Sequence, residues 1–241
     1  MEIVIYGAGV LAQLTKESVL SSGSNVAGMI DPLGNTEYKS LKEFDKKCDI
    51  IIDFSHFSSL EDILDYAVKN EKPVIIATTG HSKEQTVLIE EAAKKIAVLK
   101  ATNTSFGVTM VNEILSYAAK LLKGFDIELI EKHHNRKIDS PSGTAATMLE
   151  VIKDSIGEDR DLVYGRQGNS KRTEKEIGVH SLRAGNIVGE HAVIFSKGDE
   201  VIEIKHEALS RKMFADGAVS AAAKLVNKKS GLYSMKDLLI I

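Results

Sequence analysis

Tryptophan is absent from this 241-residue chain, aromatic residues make up only 5%, and there are 3 prolines and 1 cysteine. The lone Cys48 rules out an intrachain disulfide framework and a cysteine-rich metal site. No uninterrupted apolar run is long enough to span a bilayer. The opening Met-Glu-Ile-Val-Ile-Tyr-Gly carries an acidic residue and enters a strand-like run at once, unlike a secretory signal. A net charge of -3 argues against a general nucleic-acid-binding surface. The spacing of the histidines matches no metal site. What remains is a soluble, cytoplasmic protein with no nucleic-acid or membrane partner, long enough for one large domain or two modest ones.

The apolar residues that are present come in two patterns. Over the first hundred residues, short runs alternate with amphipathic stretches. Ile3–Tyr6, Val26–Ile30, Ile50–Ile52, Val74–Ala77 and Ile96–Leu99 read as strands buried on both faces. A helix is predicted from Val10 to Leu20, and Ser58-x-x-Glu61 and Ser82-x-x-Gln85 fit capping boxes that open two more. Strands of this kind with helices between them predict an α/β Rossmann-like domain with a parallel sheet.

After Ser105-Phe106-Gly107 the pattern changes. Helices are predicted over 108–123 and 143–155, and strands over 126–133, 177–183, 190–196 and 201–206. Lys197-Gly198-Asp199 suits a hairpin turn. The charged segment 157–176 reads as a long loop, and an Ala-rich helix over 214–226 precedes the tail. This second region is expected to be α+β with a mostly antiparallel sheet. The expected division is 1–104 with 212–241 for the Rossmann-like domain, and 105–211 for the second domain.

Gly7-Ala8-Gly9-Val10-Leu11-Ala12 is a G-x-G-x-x-A sequence directly after a strand and opening a helix. Glycines there permit a tight turn and let backbone N–H groups approach a pyrophosphate at the helix start. Asp31 closes the second strand, where a carboxylate binds ribose hydroxyls. It is followed by Pro32 rather than a basic residue, which favours NADH over NADPH. Ligands of open α/β sheets bind beyond the carboxyl ends of the strands. Ser55, the run Ala77, Thr78 and Thr79, and the run Ala101, Thr102, Asn103 and Thr104 stand there and join the expected cofactor site.

The densest chemistry lies in EKHHNRKIDSPSGTAATM, from Glu131 to Met148. If the strand stays extended, His133, Asn135 and Lys137 share one face. His133 and Lys137 are then candidate proton donors to a common anion, and His134 needs a bend to join them. Ser142 is the expected N-cap of the next helix, whose first N–H groups, at Gly143 and Thr144, would receive a carboxylate. His191 and His206 are read as structural. Arg136 and Asp139 have no assigned role.

The segment Glu131–Ala145 resembles the signature of the 4-hydroxy-tetrahydrodipicolinate reductases, E-x-H-H-x-x-K-x-D-x-P-S-G-T-A, at every specified position. The similarity continues through Ile127-Glu128-Leu129, His180-Ser181-Leu182-Arg183, Val188-Gly189-Glu190-His191 and Phe214-Ala215-Asp216-Gly217-Ala218. Asp53-Phe54-Ser55 and Thr78-Thr79-Gly80 are similar to the family's nucleotide loops. Where many members have Gly-Arg-Met-Gly in the first turn, this chain has Val10-Leu11-Ala12-Gln13.

The resemblance implies a Rossmann domain plus an α+β domain whose sheet assembles a homotetramer. It implies NAD(P)H-dependent reduction of a small cyclic dicarboxylate on the way to diaminopimelate and lysine. By position, His133 resembles the family's proton donor, Lys137 its second donor and His134 a substrate-binding residue. Gly143 and Thr144 resemble the pair that grips a substrate carboxylate. Two competing readings are a reductase for another dicarboxylate and a nucleotide sensor without turnover, which would have no need of paired proton donors.

Overall fold

The computed structural model describes residues 1–239, which form two compact units. Among the described residues the first comprises 1–106 and 211–239, and the second Gly107–Ser210.

The first unit is built on β1 (Glu2–Tyr6), β2 (Asn25–Ile30), β3 (Ile50–Asp53), β4 (Val74–Ile76) and β5 (Ala97–Lys100). Its helices are α1 (Val10–Ser21), α2 (Leu60–Lys69) and α3 (Lys83–Ala93). All strands are parallel, in the order β11-β5-β4-β3-β1-β2, with β11 (Gly231–Tyr233) arriving from the far end of the chain.

The strands are apolar throughout because alternate residues feed two separate cores. Val4, Tyr6, Ile51, Val74 and Ile76 pack with Ile63 and Leu64 of α2 and Ile89 of α3. Ile3, Ile5, Ile50, Ile52 and Ile75 pack on the other face with Ala12 and Val19 of α1. That second face is completed by Ala218, Ala222 and Leu225 of α6 (Lys212–Leu225) and Leu238 of α7 (Met235–Leu239).

The second unit packs α4 (Phe106–Leu121) and α5 (Gly143–Ile156) on one face of a five-stranded sheet. The strands are β6 (Asp126–His133), β7 (Asp161–Tyr164), β8 (Glu176–Arg183), β9 (Gly189–Lys197) and β10 (Glu200–Ala208), in the order β10-β9-β6-β8-β7. The sheet is mixed. The β10/β9 and β9/β6 ladders are antiparallel, while β6/β8 and β8/β7 are parallel. Leu115, Leu129, Met148, Ile152, Val193 and Phe195 form the core between sheet and helices. The hairpin turns at Gly198–Asp199, with Gly198 at φ 59° as a two-residue loop requires.

Two local expectations are corrected, and the tail adds two elements. The segment 157–176 is not all loop: Asp161–Tyr164 forms β7 at the sheet edge, too short and too exposed to show an apolar period. The Ser58-x-x-Glu61 box does not form. Instead the His56 ring caps a 3₁₀ turn (Phe57–Ser59) by accepting the Ser58 N–H. The tail carries β11 and α7, the latter opened by reciprocal bonds between Ser234 and Asp237. The Ser82–Gln85 box forms as expected, with bonds of 3.2 and 3.1 Å.

Helix α6 is pinned to the first unit at two points. The Ser18 hydroxyl of α1 donates to Asp216 at 2.6 Å, and the Thr104 hydroxyl donates to the Phe214 carbonyl at 2.7 Å. At Gly217 the backbone comes so close that an added Cβ would lie 1.8 Å from the Thr104 carbonyl oxygen. A main-chain oxygen cannot rotate away. Gly217→Ala is therefore expected to destabilise the chain by about 1–3 kcal/mol, the usual range for overpacking. A urea unfolding midpoint equal to that of the parent chain would contradict this account of the contact.

Candidate active site

The parallel register brings the expected nucleotide loops to one edge of the first sheet. Tyr6 is level with Ile30 and Asp53, Asp53 with Ile76, and Ile76 with Lys100, so the residues that follow each strand stand side by side. Gly7 has φ 129° and donates its N–H to Ile30 at 2.8 Å, and a Cβ there would lie 2.5 Å from the Phe54 carbonyl oxygen. Gly9 caps α1 in an extended conformation with no side-chain hydrogen bond, and a Cβ on it would meet nothing within 4 Å. A glycine turn leading into an uncapped helix start, with Val10 exposed beside it, fits a dinucleotide pyrophosphate.

The other expected cofactor residues differ in availability. Ala12 is fully buried against the sheet, so its small size serves helix packing. Leu11 follows Val10 in the first turn and offers its carbonyl to the Thr15 hydroxyl. One oxygen of Asp31 accepts the Asn35 N–H at 3.2 Å and its side-chain amide at 2.6 Å, which holds the carboxylate at the end of β2. Ser55 and Thr78 are linked through buried Asp53. The Ser55 hydroxyl and N–H both bond its carboxylate, and Thr78 Oγ1 accepts the same N–H at 3.1 Å. Burial pushes the Asp53 carboxyl above its ordinary range against those hydrogen bonds.

Ala77 is tied by its N–H to Asp53, and Ala101 by its N–H to Ile76. Thr79 and Thr102 are exposed, and Asn103 accepts the Ser105 N–H. Thr104 is turned away: it is 2% exposed and its hydroxyl bonds α6.

In the second unit β6 ends at His133. Ala184 N–H bonds the His133 carbonyl, and Lys137 N–H bonds the His134 carbonyl at 3.1 Å, which closes a turn. The expectation of an extended strand through Lys137 is therefore corrected. The polar run Asn135-Arg136 turns instead, and Lys137 is placed by that turn rather than by strand parity. Its ammonium lies 2.7 Å from one Asp139 oxygen and 2.9 Å from the other. That hydrogen bond holds the Asp139 carboxyl below its usual range. Arg136 bonds Asn186 at 3.0 Å. His134 is half-buried at the start of the turn.

His133 is fixed by a residue the sequence reading passed over. Its Nδ1 lies 2.6 Å from Glu131 Oε2, and Glu131 is 0% exposed. Arg183 bonds both carboxylate oxygens, at 2.8 and 2.7 Å. Burial alone would raise the Glu131 pKa, but hydrogen bonds from Arg183, His133 and Ser181 overcome this and hold it at about 2. An ionised carboxylate only accepts, so His133 carries its proton on Nδ1 and presents Nε2 for exchange. Gly189 leaves room for that nitrogen, since a Cβ there would lie 3.0 Å from it.

The helix start lies within the same network. Ser142 caps α5 by accepting the Ala145 N–H at 3.1 Å, and its own N–H donates to Glu131 Oε1 at 3.2 Å. Ser142 Oγ also lies 2.7 Å from His191 Nε2. Gly143 and Thr144 are the first two residues of α5, where N–H groups point out of the helix end. Gly143 is exposed, and a Cβ on it would meet nothing within 4 Å.

A family model described as the N-terminus of dihydrodipicolinate reductase matches residues 5–104, and its C-terminal counterpart matches 107–239. The chain belongs to the dihydrodipicolinate reductase family. It is 45% identical over 240 residues to the 4-hydroxy-tetrahydrodipicolinate reductase of Brachyspira hyodysenteriae, covering 99% of this chain and 100% of the relative. The enzyme of the same name from Exiguobacterium sibiricum is 43% identical, with 99% and 96% covered. Among solved structures, dipicolinate-bound dihydrodipicolinate reductase from Paenisporosarcina sp. TG-14 aligns with a TM-score of 0.78 over 98% of both chains. Its identity of 19% makes this a likeness of fold.

In this family member the unread signals were positional. Glu131 stands two residues before His133 on the same strand and so shares its face, and β8 brings Arg183 level with His133. His191, level with Glu131 across the sheet, is reached only through the β6/β9 pairing.

Burial, and then the neighbouring His133, push the His191 imidazole down from 6.5 to about 4. Between those values the unfolded chain binds more protons than the folded one. The stabilisation is therefore complete above the ordinary value and is lost as pH falls towards the depressed one. At about pH 5 the loss amounts to roughly 2 kcal/mol relative to about pH 7. Urea unfolding at both pH values should show this drop in the parent chain and a smaller one in His191→Gln. An equal drop in both would place the titration elsewhere.

Proposed function

We propose that the chain catalyses the NAD(P)H-dependent reduction of 4-hydroxy-tetrahydrodipicolinate to tetrahydrodipicolinate, a cytoplasmic step towards diaminopimelate and lysine. One observation carries this reading. The Glu131–Ala145 segment, in a chain 45% identical to a reductase of that name, folds so that a proton-bearing imidazole and a helix start share one buried carboxylate.

The residues then take the following roles. Gly7, Ala8 and Gly9, with the N–H groups at the start of α1, hold the pyrophosphate. The Asp31 carboxylate faces the ribose, and the loops at Ser55, Ala77–Thr79 and Ala101–Asn103 line the remaining cofactor length. When bound, the reduced nicotinamide supplies the hydride for the ring carbon from which the hydroxyl is lost. The hydroxyl leaves as water, and one proton balances the reaction. The doubly protonated His133 ring gives that proton from Nε2 and returns to the neutral form whose Nδ1–H stays on Glu131. Lys137, paired with Asp139, is the second donor and stabilises negative charge on the ring. Gly143 and Thr144 receive a substrate carboxylate at the start of α5, and His134 contacts the same anion.

NADH is the preferred cofactor in this reading. Asp31 is held as an acceptor by Asn35 and followed by Pro32, and a carboxylate repels a 2′-phosphate. A homotetramer is proposed from the second sheet. Its face away from α4 and α5 carries half-buried Ile130 and Ile194 and exposed Leu182 and Val201, suited to packing against copies of itself.

With enzymatically generated substrate, His133→Gln and Lys137→Ala are each expected to lower kcat by about 10²–10⁴-fold, the usual contribution of a general acid. Near-parental turnover in both would refute the roles. The same assay should give faster initial rates with NADH, and a strong NADPH preference would overturn the reading of Asp31. Light scattering should return four times the 26.3 kDa chain mass. A monomer would remove the proposed sheet-face contact.

A further inference from the structure

We propose that Glu131 is the positioning residue that holds the proton donor and the anion-binding helix start in one frame. The inference rests on the reading of His133 as a proton donor and extends the part of Glu131 from partner of one ring to frame of the whole site.

The carboxylate is used on every side. Oε2 accepts from His133 Nδ1 at 2.6 Å and from Arg183 at 2.8 Å. Oε1 accepts from the other Arg183 terminal nitrogen at 2.7 Å and from the Ser142 N–H at 3.2 Å. A two-nitrogen guanidinium fork sets the plane of a carboxylate. The two remaining directions then fix the His133 ring and the backbone of the α5 cap.

Three consequences follow for the chemistry. An acceptor-only partner leaves Nε2 as the nitrogen that exchanges a proton, as the orienting acid of a catalytic triad does for its histidine. Holding Ser142 by its N–H sets where Gly143 and Thr144 begin the helix. Arg183 also donates to the Asp139 carbonyl at 2.7 Å, which extends the frame to the partner of Lys137. Glu131 touches no reacting atom in this scheme and acts through the groups it holds.

Glu131→Gln tests the assignment. An amide would set an NH₂ group against one arm of Arg183 and would no longer require a proton on His133 Nδ1. The expected result is a fall in kcat of about 10²–10⁴-fold, the contribution of a general acid. KM should rise as well, while NADH binding to the first unit, followed by calorimetry, is unchanged. Long-range ¹H–¹⁵N spectra of the histidine rings should show neutral His133 with its proton on Nδ1 in the parent chain and on either nitrogen in the variant. A merely structural role would not move that signature.

Parental kcat and KM in Glu131→Gln, with His133→Gln impaired, would overturn the positioning role and leave the donor assignment standing. Parental turnover in His133→Gln would overturn the donor assignment instead. Should the variant fail to fold, the parent spectrum decides: a proton on His133 Nε2 in the neutral ring refutes the proposal.

Discussion

An ionised carboxylate with no exposure survives in the second unit because a guanidinium, an imidazole N–H and a backbone N–H converge on it. Isolated in an apolar core, a charged carboxylate would protonate rather than persist. Breaking such a pair by removing one partner is far more damaging than never having built it. The arrangement around Glu131 therefore constrains its neighbours. The strand pairing that sets Arg183 level with His133, the turn that follows β6 and the start of α5 must all hold together for the charge to be tolerated. Local structure at the proposed substrate site is in this sense over-determined, a condition under which side chains keep a single geometry.

Much of this was legible in the chain. The strands of the first unit follow from Ile- and Val-rich runs, and the two-core packing explains why they lack alternation. The hairpin at Gly198 and the Ser82 capping box were readable from local chemistry alone. The elements that escaped, β7 and β11, are short edge strands whose pairing depends on a neighbour far away in sequence. The helix α7 has a readable start in Ser234-x-x-Asp237 but only one further turn of apolar support.

The candidate site shows the same division. His133 and the Ser142 cap were visible as residue types in a local pattern. Lys137 was grouped with His133 by strand parity, but the strand stops at His133, and a turn sets its place. Glu131 was hidden by its ordinariness: a glutamate on a strand reads as a solvated face until its inward parity is followed. Arg183 and His191 are brought in by strand pairing, which no local pattern contains. In the nucleotide half, Thr104 stands in the right loop, but its hydroxyl is consumed by α6, so proximity in sequence to the other loop residues was no guide to its use.

The first unit is assembled from two segments far apart in the chain, 1–106 and 211–239. During synthesis its five early strands leave the ribosome about a hundred residues ahead of α6 and β11. Until those arrive, the isoleucine face formed by Ile3, Ile5, Ile50, Ile52 and Ile75 lacks the α6 part of its cover, and β5 is an open edge. The nascent chain thus presents an unpaired strand edge and an apolar face while the second unit is being made. In vectorial synthesis the β5 edge therefore stays unpaired until β11 has been made.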